Sequence, residues 1–301
     1  MIDQRPAEPG VVAPLPPPRQ PAGTKPRRLR KATRLGIALL VILLFVSPLY
    51  LTIVNAFKSS AAINNSPGSL PLHPTLTNLS AALSQPGQPL QLGLRNSLIV
   101  VVCSVALLIP LGSVLSFWIS RKRSTSRRAI LAALAAGLMI PPQITVLPII
   151  HVLAHIGLDH TYPGLILSNL GGGYLSFAVF VYVGFMRSIP ADVIEAARMD
   201  GASGLRIWWK IIMPLVRPAT ATVGIFLSLW IWNDFLNPLL IIGPLTGQTV
   251  TVGLYESVSN QVRPDYGLQF GFMFLAALIP VVAYLLVQKQ FRAGLTAGSA
   301  R

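Results

Sequence analysis

Stretches without a single formal charge constrain this chain more than any other feature. Uncharged windows run at 35–57, 96–120, 129–158, 160–186 and 266–288, and a sixth, 218–242, is interrupted only by Asp234. A bilayer core about 30 Å thick takes ~20 apolar residues per crossing helix, so each window is long enough to span. Composition agrees. Only 11% of the 301 residues are charged, against roughly 25% in soluble domains, and the mean hydropathy is +0.62. A soluble enzyme of this length would need more polar surface to cover its core, and disorder needs low hydrophobicity. The runs 35–46 and 98–108 lack the polar/apolar alternation of a membrane barrel. The expectation is an all-α integral membrane protein with six helices near 35–57, 97–119, 129–152, 163–187, 219–242 and 269–288. Gly171, Gly172 and Gly173 are expected to split the fourth, since glycine costs about 1 kcal/mol inside a helix.

The basic residues set the orientation. Of 24, 21 fall before the first window, between the second and third, between the fourth and fifth, or after the sixth, leaving Lys58, Arg95 and Arg263 for the other side. The positive-inside rule then places both termini in the cytoplasm of a cell-membrane protein. The net charge of +15 reads as topology rather than nucleic-acid affinity. Residues 1–34 hold eight prolines and eight basic residues and are expected to be a disordered cytoplasmic arm whose basic end touches lipid headgroups. The 23-residue apolar run that follows exceeds a signal peptide's 7–15 and reads as an uncleaved first span. The domain reading is an arm at 1–34, a membrane domain at 35–288 and a cytoplasmic tail at 289–301.

The loop at 188–218, SIPADVIEAARMDGASGLRIWWKIIMPLVRP, is the most informative stretch. Pro190 suits a helix start and Asp192 its positive dipole end. Gly201 can end that helix with φ > 0, and Ser203 can cap a second helix through Met213. Ala196 and Ala197 offer a small-residue face, and Trp208, Trp209, Ile211 and Ile212 an apolar stripe.

Within it, Glu195-Ala196-Ala197, three residues, Gly201, nine residues, Ile211, one residue, Met213 and Pro214 spell EAA-x3-G-x9-I-x-L-P, with Met213 at the leucine position. The chain therefore resembles the membrane subunits of binding-protein-dependent ABC importers. With Asp200 and Ala202 it is similar to the sugar-importing permeases of maltose and glycerol-phosphate type. Asn96-Ser97-Leu98, Met139-Ile140-Pro141, Ser188-Ile189-Pro190 and Trp232-Asn233-Asp234-Phe235 look alike in the same order. The resemblance covers roughly 35–298. It implies a type I (MetI-like) permease fold whose loop docks on a cytoplasmic ATPase. It also implies a second related permease, two ATPase copies, an extracytoplasmic solute-binding protein and a sugar substrate. The end of the chain, with Gly294, Leu295, Thr296 and Gly298, resembles the maltose-type tail that reaches between ATPases. No G-x4-GK[ST] phosphate loop is present, so hydrolysis is expected in a partner chain and no cofactor here.

Asp234, with Asn233 and Asn237 beside it and Trp230 and Trp232 flanking it, is the one charge inside a window. It fits a water-filled substrate path, where hydroxyls meet polar groups and sugar rings stack on indoles. It equally fits a structural polar bond between helices. His151, His155 and His160 read as a polar helix end rather than a metal site, and Cys103 as a packing residue. Seven prolines in or beside the windows suit a bundle around a wet cavity. No catalytic set stands on a common face. Two other classes remain as rivals: a gradient-driven secondary transporter, which would show repeated halves and several intramembrane acids, and a membrane-embedded enzyme.

Overall fold

A computed structural model of the chain describes residues 27–121, 125–243, 249–259 and 265–299, with side chains described for these except 27–30, 32, 121, 172 and 287–299. The proline-rich part of the arm, residues 1–26, and the basic residues Lys122, Arg123 and Arg263 lie outside the described residues. Among the described residues every regular element is helical: α1 (Arg27–Ala56), α2 (Ser60–Asn65), α3 (Thr77–Ser84), α4 (Pro89–Arg121), α5 (Thr125–Met139), α6 (Pro142–His155), α7 (Tyr162–Leu170), α8 (Gly172–Met186) and α9 (Ala191–Met199). There follow α10 (Gly204–Leu215), α11 (Arg217–Trp232), α12 (Leu236–Ile241), α13 (Val250–Ser259) and α14 (Tyr266–Ser299). The chain divides into two units, residues 1–50 and 51–301.

The first unit holds most of α1. The described part of the helix begins at Arg27, so it takes in residues 27–34, the expected end of the arm. Arg, Leu, Lys and Ala dominate 27–34 and are good helix formers. Pro48 inside α1 lacks the N–H that would reach Leu44, and the Ser47 hydroxyl donates to the Leu44 carbonyl instead, at 3.0 Å.

In the second unit α4 is the spine, packed against α7, α8, α11 and α13. Four fully buried serines of α4 each meet a different element. The Ser97 hydroxyl oxygen accepts from Val250 N, the first residue of α13, at 2.9 Å. Ser104 accepts from Asn169 Nδ2 of α7 at 3.1 Å, and Ser113 from Trp208 Nε1 of α10 at 3.2 Å. Ser116 donates to the Val179 carbonyl of α8, also at 3.1 Å. Close approach makes the last bond reachable: a Cβ on Gly112 would stand 2.8 Å from the Ala178 Cβ. Small residues at helix contacts serve this purpose where no hydrophobic force drives association.

Among the described residues three helices are long and apolar enough to cross a membrane: Thr33–Ala56, Pro89–Ser120 and Tyr266–Leu286. Three further pairs of the described helices pass only when taken together, each of them bent: α5 with α6, α7 with α8, and α10 with α11, the last by 79°. The segment expected as one helix at 129–152 breaks between Met139 and Pro142 with a 109° bend, because the successive prolines 141 and 142 withdraw two amide donors. The fourth segment breaks at Gly171, extended at φ −89°, ψ 177°, and bends by 41°. The fifth, expected as one helix at 219–242, stops at Trp232 and restarts at Leu236. Asn and Asp at 233 and 234 compete for backbone partners outside helices. Cys103, expected to pack inside, is exposed on α4. The last helix continues to Ser299, into the segment 289–301 expected as a cytoplasmic tail. Ala293, Leu295 and Ala297 alternate with its glycines, and propagating an existing helix costs far less than nucleating one.

Opposite the loop-bearing end, the buried Lys58 donates to Ser66 O at 2.8 Å, Pro67 O at 3.3 Å and Ser69 Oγ at 3.2 Å, satisfying all three ammonium protons. Asn78 Nδ2 donates to the carbonyls of Asn55, Ala56 and Lys58. These bonds hold the end of α1 to α3, which lies on α14.

Ser104→Ala strands the buried Asn169 amide and is expected to destabilise the purified protein by about 1 kcal/mol. Gly112→Val, which drives a branched side chain into Ala178, is expected to cost more, about 1–3 kcal/mol. Thermal unfolding in detergent, with the exposed Leu107→Ala as control, measures both.

Candidate functional site

Two neighbourhoods gather the residues singled out by sequence: the loop from Arg187 to Pro218 and the break at 233–235. In the loop, α9 begins after Pro190 and carries Asp192 in its first turn and Arg198 in its last, each charge suited to its end of the dipole. The helix closes with two reciprocal bonds. Gly201 N donates to Arg198 O and Ala202 N to Ala197 O, both at 3.0 Å, which is the Schellman arrangement with its left-handed residue at Gly201. Gly201 has φ +74° with open space around its Cα, so the constraint there is conformational rather than steric. Ser203 Oγ accepts from Arg206 N and caps α10.

Midway, α10 widens into a π turn, with Met213 N donating to Trp208 O. Pro214 explains the position. Its ring clashes with the carbonyl four residues back and it has no N–H to offer, and a π turn absorbs such local misfit.

The loop has two distinct faces. Ile194, Ala197, Ile207, Ile212 and Val216 are buried in the same core cluster as Leu108 of α4 and Tyr182 of α8. Facing outward are Glu195, Ala196, Asp200, Gly201 and Pro214, with Met199 88%, Leu205 71% and Trp209 63% exposed. Ala202 and Ile211 are half-buried. The expected tryptophan stripe is therefore divided: Trp208 turns inward, 8% exposed, to its hydrogen bond with Ser113, and Trp209 turns outward. Adjacent helical positions point about 100° apart, which residue type alone could not assign. The Ala196–Ala197 pair divides in the same way.

At the second neighbourhood, Asp234 sits between helices rather than within one. Its Oδ2 accepts from Asn237 Nδ2 at 2.7 Å and its Oδ1 from Asn237 N at 3.3 Å, so the carboxylate caps the first turn of α12. Tyr174 of α8 lies beside the carboxylate. Pro238 has no N–H for the Asp234 carbonyl four residues back. Thr251 Oγ1 of α13 donates to that carbonyl at 2.7 Å. Asn233 turns away, its Nδ2 on Leu229 O at 2.8 Å. Trp230, 42% exposed, stands in an aromatic group: stacked on Tyr174 with centroids at 6.4 Å, edge-on to Phe177 at 4.7 Å and to Phe226 at 6.0 Å. Trp232 is buried.

Sequence reasoning had not singled out Tyr174, Phe177, Phe226 and Thr251. Tyr174/Phe177 and Phe226/Trp230 carry the i, i+3 and i, i+4 spacings of one helix face, but nothing local says that those two faces meet. The structure thus brings Asp234 together with Asn237 and places Trp230 nearby through Tyr174, while Asn233 serves its own helix. Gly294, Leu295, Thr296 and Gly298 are helical in backbone. Among the described residues no group of three or more His, Cys, Asp or Glu could hold a metal. His155 Nδ1 lies 2.7 Å from the His151 carbonyl and His160 Nδ1 lies 3.1 Å from that of Ile242.

A family model described as "Binding-protein-dependent transport system inner membrane component" matches residues 108–292. The chain is 33% identical over 265 residues to a diacetylchitobiose uptake system permease protein of Streptomyces coelicolor, covering 87% of this chain and 86% of that one. It is 32% identical over 271 residues to a probable starch degradation products transport system permease protein of Thermoanaerobacterium thermosulfurigenes, covering 89% and 96%. Among solved structures, a chain of a bacterial ABC transporter involved in import of the acidic polysaccharide alginate superposes with a TM-score of 0.76 at 20% identity, over 90% of this chain and all of that one. That likeness extends to the fold alone.

Trp208→Phe keeps the buried ring and removes one indole bond, an expected loss of about 1 kcal/mol. Trp208→Ala empties the site, an expected loss of about 3–5 kcal/mol. Melting of the detergent-purified chain ranks the two, and equal losses would mean the loop is not held through this ring.

Proposed function

The chain belongs to the family of binding-protein-dependent transport system inner membrane components, and we propose from that premise that it forms half of the translocation path of an ATP-driven carbohydrate importer. As a member of that family it is a transport subunit, not an enzyme, and lies in the inner membrane as a multi-pass protein served by a solute-binding protein. The carbohydrate reading rests on the cargoes named for its relatives: diacetylchitobiose, starch degradation products, and melibiose, raffinose and stachyose in a Bacillus subtilis permease 33% identical over 210 residues. All are oligosaccharides or their derivatives.

In this reading six crossings place both termini in the cytoplasm, with α5–α6 and α7–α8 as bent spans and α11, interrupted at 233–235 before α12, as the fifth. Charge asymmetry supports it. The partners are a second, related permease and two cytoplasmic ATPase subunits. The observation that carries the coupling role is the two-faced loop. Its inner face is core, while its outer face offers Glu195, Ala196 and the exposed apolar Met199, Leu205 and Trp209. An exposed apolar patch rimmed by charge is the signature of a protein contact. ATP-driven closure of the ATPases would move this loop and switch the pathway between inward- and outward-facing states.

For the substrate path, Trp230 offers an exposed indole face beside the Asp234–Asn237 pair, a combination suited to sugar rings and hydroxyls. The helical end of α14, with Gly294, Leu295, Thr296 and Gly298, is assigned to contact with the ATPases.

Gly201→Val forces a β-branched residue into positive φ and re-aims α9, and Glu195→Lys reverses a charge at the contact. Interface anchors are each worth 2 kcal/mol or more, roughly thirtyfold in affinity, so both variants are expected to lose ATPase from the assembly purified through this subunit while still inserting. Full ATPase occupancy and normal substrate-stimulated turnover in both would defeat the assignment. Uptake into vesicles that follows a proton or sodium gradient without ATP would favour the secondary-transporter rival instead. Asp234→Asn is expected to preserve assembly and alter uptake, and Asp234→Leu, which also removes the cap of α12, to reduce it further. Normal rate and selectivity in both would leave Asp234 a purely structural role.

A further inference from the structure

Between Glu8 and Asp159 the sequence contains no carboxylate at all. Five basic residues, Arg121, Lys122, Arg123, Arg127 and Arg128, fall within eight positions of that acid-free stretch, around the start of α5. Local sequence supplies them no counter-ion. Arg127 lies over the Trp118 ring of α4, 4.3 Å from its centroid. Arg128, one position on, has neither an ion pair nor a hydrogen bond among the described residues, and it stands at the head of a groove.

The groove has a volume of about 320 Å³ and runs between α5 and α8, lined by Arg128, Leu131, Ala135, Leu138 and Phe180 among others. The two helices pack side by side and antiparallel. A Cβ on Gly137, late in α5, would lie 3.1 Å from Ser176 Oγ, early in α8, while Leu131, early in α5, packs on the cluster containing Val183, late in α8. Arg128 is therefore at the end of the groove nearest the α8–α9 loop, and the positive dipole end of α5, a 15-residue helix starting at Thr125, points the same way. The chemistry is amphipathic along one line: a cation and a helix N-terminus at one end, then a wall of seven residues that is hydrocarbon except for Ser176.

We propose that this groove holds an acyl chain of an anionic phospholipid of the cytoplasmic leaflet, with Arg128 receiving its phosphate. The leaflet assignment rests on the orientation given under the proposed function; the amphipathic match does not. An acyl chain fills the hydrocarbon wall at about 0.8 kcal/mol per buried methylene. The headgroup supplies the negative charge that the sequence withholds from this region. Basic pockets between membrane helices on the cytoplasmic side take anionic headgroups for this reason. A protein segment laid in the same groove would have to bring its own acid to Arg128.

The test is lipid retention, read independently of transport. The assembled transporter is placed in nanodiscs of phosphatidylcholine with a minor fraction of phosphatidylglycerol, then released into mild detergent, and bound lipid is quantified by native mass spectrometry. Wild type is expected to enrich phosphatidylglycerol. Arg128→Gln is expected to reduce that enrichment about fivefold, the equivalent of about 1 kcal/mol for one basic side chain at the surface, and Arg128→Lys to preserve most of it. Ala135→Trp, filling the groove, is expected to remove bound lipid of both kinds. Co-elution of the second permease with each variant establishes that the fold is intact. Gly201→Val, which targets only the loop, should retain lipid normally, so failure of the coupling assignment and failure of the lipid site give different results. Equal phosphatidylglycerol enrichment in wild type, Arg128→Gln and Ala135→Trp would overturn the proposal. So would a cysteine at Leu138 that cross-links to the second permease, because a protein chain would then occupy the groove.

Discussion

A polar group on a helix surrounded by hydrocarbon must find a partner within the protein, and α4 turns that requirement into architecture. Its four buried serines are small enough to admit neighbours closely and each can accept or donate one bond. Ser97 caps the first turn of α13, Ser104 meets Asn169 of α7, Ser113 receives the indole of Trp208 and Ser116 reaches a carbonyl of α8. Apolar packing alone is nearly indifferent to register in such a medium, because lipid tails are as apolar as leucine. Hydrogen bonds are not indifferent. One slipped turn, about 5.4 Å, breaks all four. The seam therefore fixes where α7, α8, α10 and α13 sit along one another.

The same requirement governs the places where helices stop. A break inside a membrane protein frees carbonyls and amides, and it survives only where side chains take them up. At 233–235 the Asp234 carboxylate caps α12, Asn233 covers the Leu229 carbonyl and Thr251 covers the Asp234 carbonyl. Even inside α1, Ser47 covers the carbonyl that Pro48 abandons. At 233–235 the break is thus partnered by its own side chains and by Thr251, and it stands beside the aromatic group around Trp230.

Sequence disclosed most where local chemistry decides the outcome. The start of α9, its left-handed end at Gly201 and the Ser203 cap follow from residue types whose preferences act within a turn, and the structure has each of them in place. The split at Gly171 was legible for the same reason. The 109° bend after Met139 and the stop at Trp232 were not, although the prolines and the Asn-Asp pair that cause them were in plain view. Hydropathy windows average over such residues, and a window of 24 apolar positions reads as one helix whether or not its axis is straight. The two faces of the loop were hidden for a different reason. Trp208 and Trp209 are the same residue type, and only the packing of α10 on α4 tells them apart. The serine seam lay open as letters, but nothing in an i, i+7 pair such as Ser97 and Ser104 names a partner 65 or 153 residues away.

Two separate routes join the loop to the polar break. One is covalent: α10 turns through 79° into α11, whose far end carries Phe226, Trp230 and the Asn233 cap. The other passes through bonds, from Trp208 to Ser113 on α4, along that helix to Ser97, from there to Val250 at the start of α13, and from its neighbour Thr251 to the Asp234 carbonyl. The two routes meet at 233–235, where the backbone has no continuous helix to resist a change of angle. A rigid helix moved at one end displaces its other end, whereas a break can absorb the difference by rotating a few φ and ψ angles. If the loop is driven by an ATPase, a shift of α10 that α4 does not share must be taken up at that break, next to the exposed indole of Trp230. On the proposed coupling role, the Asp234 turn is the compliant point between the loop and the aromatic group around Trp230, and the insertion cost of an acid, about 2.5–3.5 kcal/mol, is offset by a carboxylate that caps the start of α12 at whatever angle the break adopts.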